Sequence, residues 1–202
     1  MSRPRLLDLF CGAGGAAMGY HRAGFEVVGV DIAPQKRYPF EFHQGDALEF
    51  IAAHGHEFDA IHASPPCQAY ANVTRWTGRQ SDHPDLAGPT RGALDATGLP
   101  WVIENVVGAP IRPDIVLCGT QFRIPIIRHR WFELSFPYFG LMPACRHLGA
   151  LPFIHKGERA YADAMGCDWM TNREARQAIP PAFTEHVGRH LLNVVTARED
   201  AA

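Results

Sequence analysis

Residues 6–32 read LLDLFCGAGGAAMGYHRAGFEVVGVDI, and this stretch decides the fold. Leu6–Phe10 is an apolar run of strand length. The glycine-rich turn Gly12-Ala13-Gly14-Gly15 follows at once. Helical patterning over Ala13–Ala23 then runs to Gly24, a residue suited to stopping a helix. Glu26–Val30 is a second apolar strand, and Asp31 stands at its end. A strand, a glycine turn, a helix and a second strand form one unit of a parallel sheet.

Working outward, the alternation continues. Phe40–Gln44 reads as a short strand, Asp46–His54 as a helix and Asp59–Ala63 as a strand. Pro100–Glu104 and Asp114–Cys118 are two more strands. The expectation is an α/β protein with a doubly wound, mostly parallel Rossmann-like sheet. Ligands of such sheets bind beyond the carboxyl ends of the strands. That places the chemistry in the loops after Phe10, Val30, Ala63 and Glu104. Tyr70–Ser81 reads as a mobile loop, and Asp85–Thr97 as a helix interrupted near Gly88–Pro89. From Pro137 to Arg159 the patterning weakens, which predicts a small irregular insertion. Thr171–Gln177 reads as a helix start, with Thr171 as N-cap and Glu174 at capping-box spacing. The predicted organisation is a core over 1–134, an insertion over 135–165 and a segment over 166–202 that completes the core.

The chain has 202 residues, 47% hydrophobic and 20% charged, which suits one globular α/β unit. No apolar run approaches the ~20 residues of a membrane span. Five cysteines, an odd number without regular spacing, and no recognisable leader predict a reducing cytoplasm. The net charge of −2 gives no overall attraction to nucleic acid. Arg123, Arg128, His129, Arg130, Arg146, His147, His155, Lys156 and Arg159 nevertheless concentrate positive charge in the second half, where a local patch can steer a phosphate backbone.

Three motifs carry chemistry. Asp8-Leu9-Phe10-Cys11-Gly12-Ala13-Gly14-Gly15 is a turn that lets backbone approach a ligand, and by itself it suits any nucleotide. Asp31 lies about twenty positions on, where a carboxylate suits a ribose diol. Asp46 can accept from an exocyclic amine, and can equally cap the helix it precedes. The second motif, Ser64-Pro65-Pro66-Cys67-Gln68, sets a thiol behind two backbone-fixing prolines at a strand end, a place for a nucleophile. The third, Glu104-Asn105-Val106, puts a carboxylate at the tip of an apolar strand. There it needs a partner: a helix cap, a buried cation or a bound base.

In order and spacing these motifs, followed by Arg128-His129-Arg130, resemble the DNA (cytosine-5)-methyltransferase family. The resemblance covers roughly residues 5–134. It implies the S-adenosyl-L-methionine-dependent methyltransferase fold and transfer of a methyl group to carbon 5 of a cytosine flipped out of double-stranded DNA. By that resemblance Cys67 is the nucleophile, Glu104 holds N3 and the exocyclic amine, Arg130 contacts O2, and Arg128 supports the loop and thiolate. The cofactor positions it implies are Phe10, Gly12, Gly14, Gly15, Asp31, Ile32, Asp46, Ala47 and Pro66, with Phe10 and Ile32 flanking the adenine. A monomer without a membrane partner is expected. RNA or a free cytosine nucleotide as acceptor, and an inactive DNA-binding subunit, are the alternative readings.

The sequence departs from the family in three places. About thirty residues, Phe132 to Met165, stand where the family's target-recognition region is long, which predicts a short target, even a dinucleotide. Ile126 replaces a glutamine two residues before the first arginine. The family's late Gly-Asn beside the cofactor appears as Gly188-Arg189, and the segment 179–185 resembles small phage enzymes. Arg189 raises the alternative of a cofactor with an extra carboxylate and a carboxymethyl product; a surface arginine is the plainer reading. Cys145-Arg146-His147 with Cys118, His155 or Cys167 offers zinc-type ligands but not the spacing of a known finger, so no metal site is expected. Arg75 and Trp76 suit filling the gap left by a flipped base.

Overall fold

The computed structural model describes residues 2–66, 85–149, 151–152 and 160–200. The strands are β1 (Arg5–Leu9), β2 (Glu26–Asp31), β3 (Glu41–Gln44), β4 (Ala60–Ala63), β5 (Trp101–Asn105), β6 (Ile115–Cys118), β7 (Ile126–Ile127), β8 (His129–Leu134) and β9 (Leu151–Pro152). The helices are α1 (Gly15–Ala23), α2 (Ala47–His54), α3 (Ala87–Thr97), α4 (Ala160–Met165), α5 (Asn172–Gln177) and α6 (Pro181–Glu199). Seven strands form one sheet in the order β3-β2-β1-β4-β5-β8-β6, and β7 pairs with β9 apart from it. The first five are mutually parallel, while β8 runs antiparallel to both its neighbours. The chain winds outward from β1 to β3 and then returns to β4. The crevice between β1 and β4 is therefore the switch point where such sheets bind ligands.

Alternation along the strands builds two cores. Leu6, Val27, Ala60, Val102 and Phe132 face α1 and α6, where Tyr20, Phe183, Val187 and Leu191 meet them. Leu7, Leu9, Val28, Ile61, Trp101 and Ile103 face α2 and α3, against Ile51 and Leu94. The α1–α6 contact is close because Gly19 and Gly188 remove side chains from it. A Cβ on Gly188 would stand 2.9 Å from both Ala23 Cβ and Tyr20 Cδ1.

Two expectations change. The helix predicted over Asp85–Thr97 is not interrupted at Gly88–Pro89: it runs from Ala87 to Thr97, with Pro89 in the first turn, where its missing N–H breaks no ladder bond. The strand β8 was not expected, and it fills the sheet between β5 and β6. Among the described residues, 137–149 contain no helix or strand. Thr171 caps α5 with the reciprocal Glu174 bond that the capping-box spacing predicts. No helix among the described residues is long and apolar enough to cross a membrane.

A buried polar chain lies on the α1–α6 face beneath the glycine turn. Tyr20 Oη is 2.9 Å from His62 Nδ1, and Tyr38 Oη donates to Asp8 Oδ2 at 3.4 Å. His62 Nε2 stands 4.0 Å from Asp8 Oδ1. Burial opposes charge on both partners: it pulls His62 down to about 3 and pushes Asp8 well above the usual carboxylate range. Burial thus disfavours the charged form of each, and neither Asp8 Oδ1 nor His62 Nε2 has a hydrogen-bond partner, so the 4.0 Å approach is not a hydrogen-bonded ion pair. Below pH 6.5 the unfolded chain protonates this histidine while the native state does not, so His62 contributes stability at neutral pH that is lost as pH falls from 6.5 toward 3. Asp8 acts with the opposite sign, since its contribution is lost as pH rises through its raised pKa. In urea denaturation between pH 7 and 5, the pH slope of the unfolding free energy of a His62→Gln variant is expected to differ from the parent's by an amount approaching about 1.4 kcal/mol per pH unit, the histidine's own share. An unchanged acid slope would refute the assignment.

Candidate active site

Register builds the site. Val30, Leu9 and Ala63 are paired across β2, β1 and β4, and Ala63 pairs with Ile103 of β5. The next residues, Asp31, Phe10, Ser64 and Glu104, consequently line one edge of the sheet, with strands about 4.8 Å apart. Ser64 Oγ donates to the Phe10 carbonyl at 3.3 Å, and Asn105 Nδ2 donates to the Pro65 carbonyl at 3.0 Å. These bonds tie the segment that leads to Cys67 to the strands on either side. Pro66 is half-buried. Cys67 itself, the 70–81 loop with Arg75 and Trp76, and His155, Lys156 and Arg159 lie outside the described residues.

The turn after β1 is wound tightly. Phe10 and Gly12 have φ of 58° and 49°, and Gly14 has 83°. Asp31 holds it: Oδ2 accepts from Gly12 N at 3.0 Å and Oδ1 from Ala33 N at 2.9 Å. A carboxylate has about four lone-pair sites, so this use leaves two for a diol. A Cβ on Gly12 would meet nothing within 4 Å, so this glycine borders open space. Gly14 and Gly15 have different reasons. A Cβ on Gly14 would strike Pro39 at 2.7 Å, and one on Gly15 would stand 2.5 Å from the Ile179 carbonyl. Packing therefore requires both glycines, whatever else the turn holds. Ile32 exposes 70% of its surface at the same edge. Asp46 Oδ1 caps α2 by accepting from Leu48 N at 2.8 Å and Glu49 N at 3.0 Å. The residue is exposed, and its other oxygen is open to a ligand amine. The Ala47 methyl lies in the core, leaving only backbone for a ligand.

Glu104 is 4% exposed, and Arg130 Nε lies 2.7 Å from its Oε1. The N–H is not aimed at that oxygen, so the contact is an ion pair rather than a directed hydrogen bond. Burial raises the Glu104 carboxyl, while Arg130 and then Arg128 pull it back. The net shift is upward. Arg128 is 2% exposed and donates from Nη1 to the Arg176 carbonyl at 3.0 Å and from Nη2 to the Ala178 carbonyl at 2.6 Å. It thereby fastens residues 176–178 beside the Gly15 turn. The resemblance gave Arg128 the loop and thiolate to support. What it supports among the described residues is the end of α5.

Gly188-Arg189 is not the segment beside the turn. Residues 178–179 meet Gly15, and Trp169 Nε1 donates to the Ala13 carbonyl at 2.9 Å. Gly188 packs two turns further along α1, and Arg189 pairs with Glu185 on an exposed flank of α6, in line with the plainer reading. Sequence reasoning missed Trp169 and Asn105. Ile126, at the glutamine position, is buried in β7. A cavity of about 370 Å³ lined by Arg112, Asp114 and residues 134–138 lies at the other edge of the sheet and contains none of these groups.

Of the metal ligands weighed from sequence, Cys167 is buried in a separate core, its thiol pushed up to about 12 by burial. Cys118, Cys145 and His147 do converge, and His129 joins them.

The fold and the edge row define an α/β protein whose acidic and open-faced residues gather at the β1–β4 crevice. Residues 4–90 match the C-5 cytosine-specific DNA methylase model. The chain is similar to the type II methyltransferase M.XorII of Xanthomonas oryzae, 30% identical over 127 residues, covering 55% of this chain and 30% of the relative. M.FnuDI of Fusobacterium nucleatum is 31% identical over 76 residues, 34% of this chain and 22% of the relative. The matched stretch thus spans under a third of either relative. Among solved structures, the Dnmt2 methyltransferase of S. pombe has a TM-score of 0.48 at 20% identity, covering 69% of this chain and 52% of that one. The Entamoeba histolytica methyltransferase EhMeth has 0.47 at 19%, covering 66% and 53%.

Proposed function

We propose that this chain is a DNA cytosine-5 methyltransferase acting on a cytosine flipped from the duplex, with Cys67 as nucleophile. The observation that carries the proposal is the edge row itself: Asp31 and the open-faced Gly12 on one side, and Glu104 with its charge raised in cost and Arg130 at 2.7 Å on the other. The Cys67 segment leaves the sheet between them.

The residues fit S-adenosyl-L-methionine. Asp31 has acceptor capacity for the ribose, Asp46 for the adenine amine, and Phe10 and Ile32 offer apolar surface for the ring. Gly12 leaves space that a side chain would fill. When bound, this cofactor supplies an electrophilic methyl on a sulfonium. The Cys67 thiolate adds to carbon 6 of cytosine and moves electron density toward carbon 5. Glu104, its pKa raised by burial, delivers a proton to N3 as that charge develops. Arg130 stabilises O2. Once carbon 5 is substituted, water takes the carbon-5 proton, N3 returns its proton to Glu104, and the C6–S bond breaks to free Cys67 as thiolate. Arg128 is a positioning residue for the wall at 176–178.

Nucleoside mass spectrometry after incubation with duplex DNA, tRNA or dCMP tests the reading. 5-Methylcytosine in duplex alone is expected. Product only in tRNA or dCMP would overturn the choice of acceptor, and a carboxymethyl product the choice of cofactor. Titration calorimetry of an Asp31→Ala variant is expected to show cofactor affinity weakened about 10- to 100-fold, the loss of one or two charge-assisted hydrogen bonds. Unchanged affinity would remove Asp31 from the site.

A further inference from the structure

We propose that Cys118, His129, Cys145 and His147 form a closed, tetrahedral zinc site that fastens the irregular 137–149 segment to the sheet. One ligand atom from each, Sγ or a ring nitrogen, lies within 4.8 Å of all the others. Cys118 Sγ is 3.5 Å from His147 Nε2, and Cys145 Sγ is 3.6 Å from His129 Nε2. Zinc bonds of 2.3 Å to sulfur and 2.0–2.1 Å to nitrogen give tetrahedral edges of about 3.3–3.8 Å. The two closest approaches already have that length. Isolated S–H···N contacts explain either pair, but not why both pairs meet at one point.

The fold makes the convergence. Cys118 and His129 are directly opposed across the antiparallel β6–β8 pair, so their side chains leave the same face. Cys145 and His147, one residue apart in extended chain, bring the second pair from the insertion. That segment needs a fastening of this kind. Tyr138 and Met142 pack against the core and Tyr138 Oη meets His186 Nε2 at 2.8 Å, but Phe139, Leu141 and Leu148 are 88%, 98% and 100% exposed, so apolar burial holds down only the first part of it. Its recorded polar ties to the sheet end are few: Gln121 Nε2 donates to the Pro143 carbonyl at 2.7 Å and Arg146 N to Thr120 Oγ1 at 3.2 Å. Zn²⁺ entering displaces the two thiol protons to solvent and leaves a site of zero net charge. Four protein ligands leave no open position, so the site is structural. It also bears on the chemistry next door, because the His129 carbonyl accepts from Arg130 Nη1 at 2.9 Å. Fixing His129 fixes the start of the strand that carries Arg130.

The tag-free full chain, purified without chelator, is expected to contain one zinc per molecule by elemental analysis. Cys145→Ser and His147→Asn, both on the insertion, are expected to lower that content at least tenfold. Cobalt(II) replacing zinc in the parent chain is expected to give the intense ligand-field bands of a tetrahedral ion and a thiolate charge-transfer band. The cobalt spectrum also serves if either variant fails to fold. A chain free of metal as purified that takes up neither Zn²⁺ nor Co²⁺ would overturn the proposal. So would a Cys118–Cys145 disulfide in the purified protein, or full zinc content in both variants.

Discussion

Replacing Cys67 with alanine is expected to abolish methyl transfer, by on the order of 10⁴-fold or more. Carbon 5 of cytosine is too poor a nucleophile to be alkylated without prior addition at carbon 6, and that addition needs a thiolate. No other described cysteine can stand in. Cys11 lies in the glycine turn with its thiol raised far above the ordinary range, by burial first and then by Asp8 and Asp31. Cys167 is buried, and Cys118 and Cys145 belong to the ligand cluster beyond β6. A duplex with 5-fluorocytosine at the target provides the direct assay. With no carbon-5 proton to remove, the adduct persists and shifts the protein on a denaturing gel. The parent is expected to form it and Cys67→Ala is not. Adduct formation by the variant would end the assignment. Glu104→Gln, which keeps the shape and loses the proton, is expected to slow the same reaction about 10²- to 10⁴-fold.

Gly19→Ala is expected to be the most damaging single-methyl change in the fold. A methyl there would overlap Thr184 Oγ1 and the Pro181 carbonyl and stand 2.6 Å from Glu185 N. Two of these three are backbone, which cannot rotate away. Thr184 is itself committed, donating to the Ala16 carbonyl at 2.9 Å. Separating α1 from α6 would strain the core that Tyr20, Phe183 and Val187 share. The expected cost is about 3 kcal/mol, a fall in Tm of about 6–12 °C for a chain of this size. Gly12→Ala is the control. It has a positive φ, which the helical Gly19 does not, but meets no neighbour, so about 1 kcal/mol is expected from backbone strain, with the larger effect on binding of the proposed cofactor. Equal Tm losses in the two variants would refute the packing argument.

The parallel half of the sheet was legible because its strands are apolar runs ended by glycine, proline or an acid. Asp8–Gly15, Asp31 and Glu104 fell at strand ends for the same reason. β8 was not legible. Its residues His129, Arg130 and Glu133 are polar, and only the fold supplies their partners, such as Arg91, whose Nε and Nη2 reach Glu133 at 2.9 and 2.6 Å. The ligand cluster was half legible. Cys118, Cys145 and His147 could be suspected, but His129 becomes their neighbour only once β6 and β8 pair, and no finger has the spacing Cys-x10-His-x15-Cys-x-His. Gly188-Arg189 misled because a glycine beside a polar residue looks the same whether it borders a ligand or a helix.

The bond from Thr184 to Ala16 joins residues 168 positions apart. The glycine turn is therefore synthesised well before the wall at 176–179 and the first turn of α6 that complete it. At 5–20 residues per second that interval lasts about 10–30 s. Through it a nascent chain shows the apolar flank of α1 to solvent, and chaperone demand should track the pace of translation across that interval.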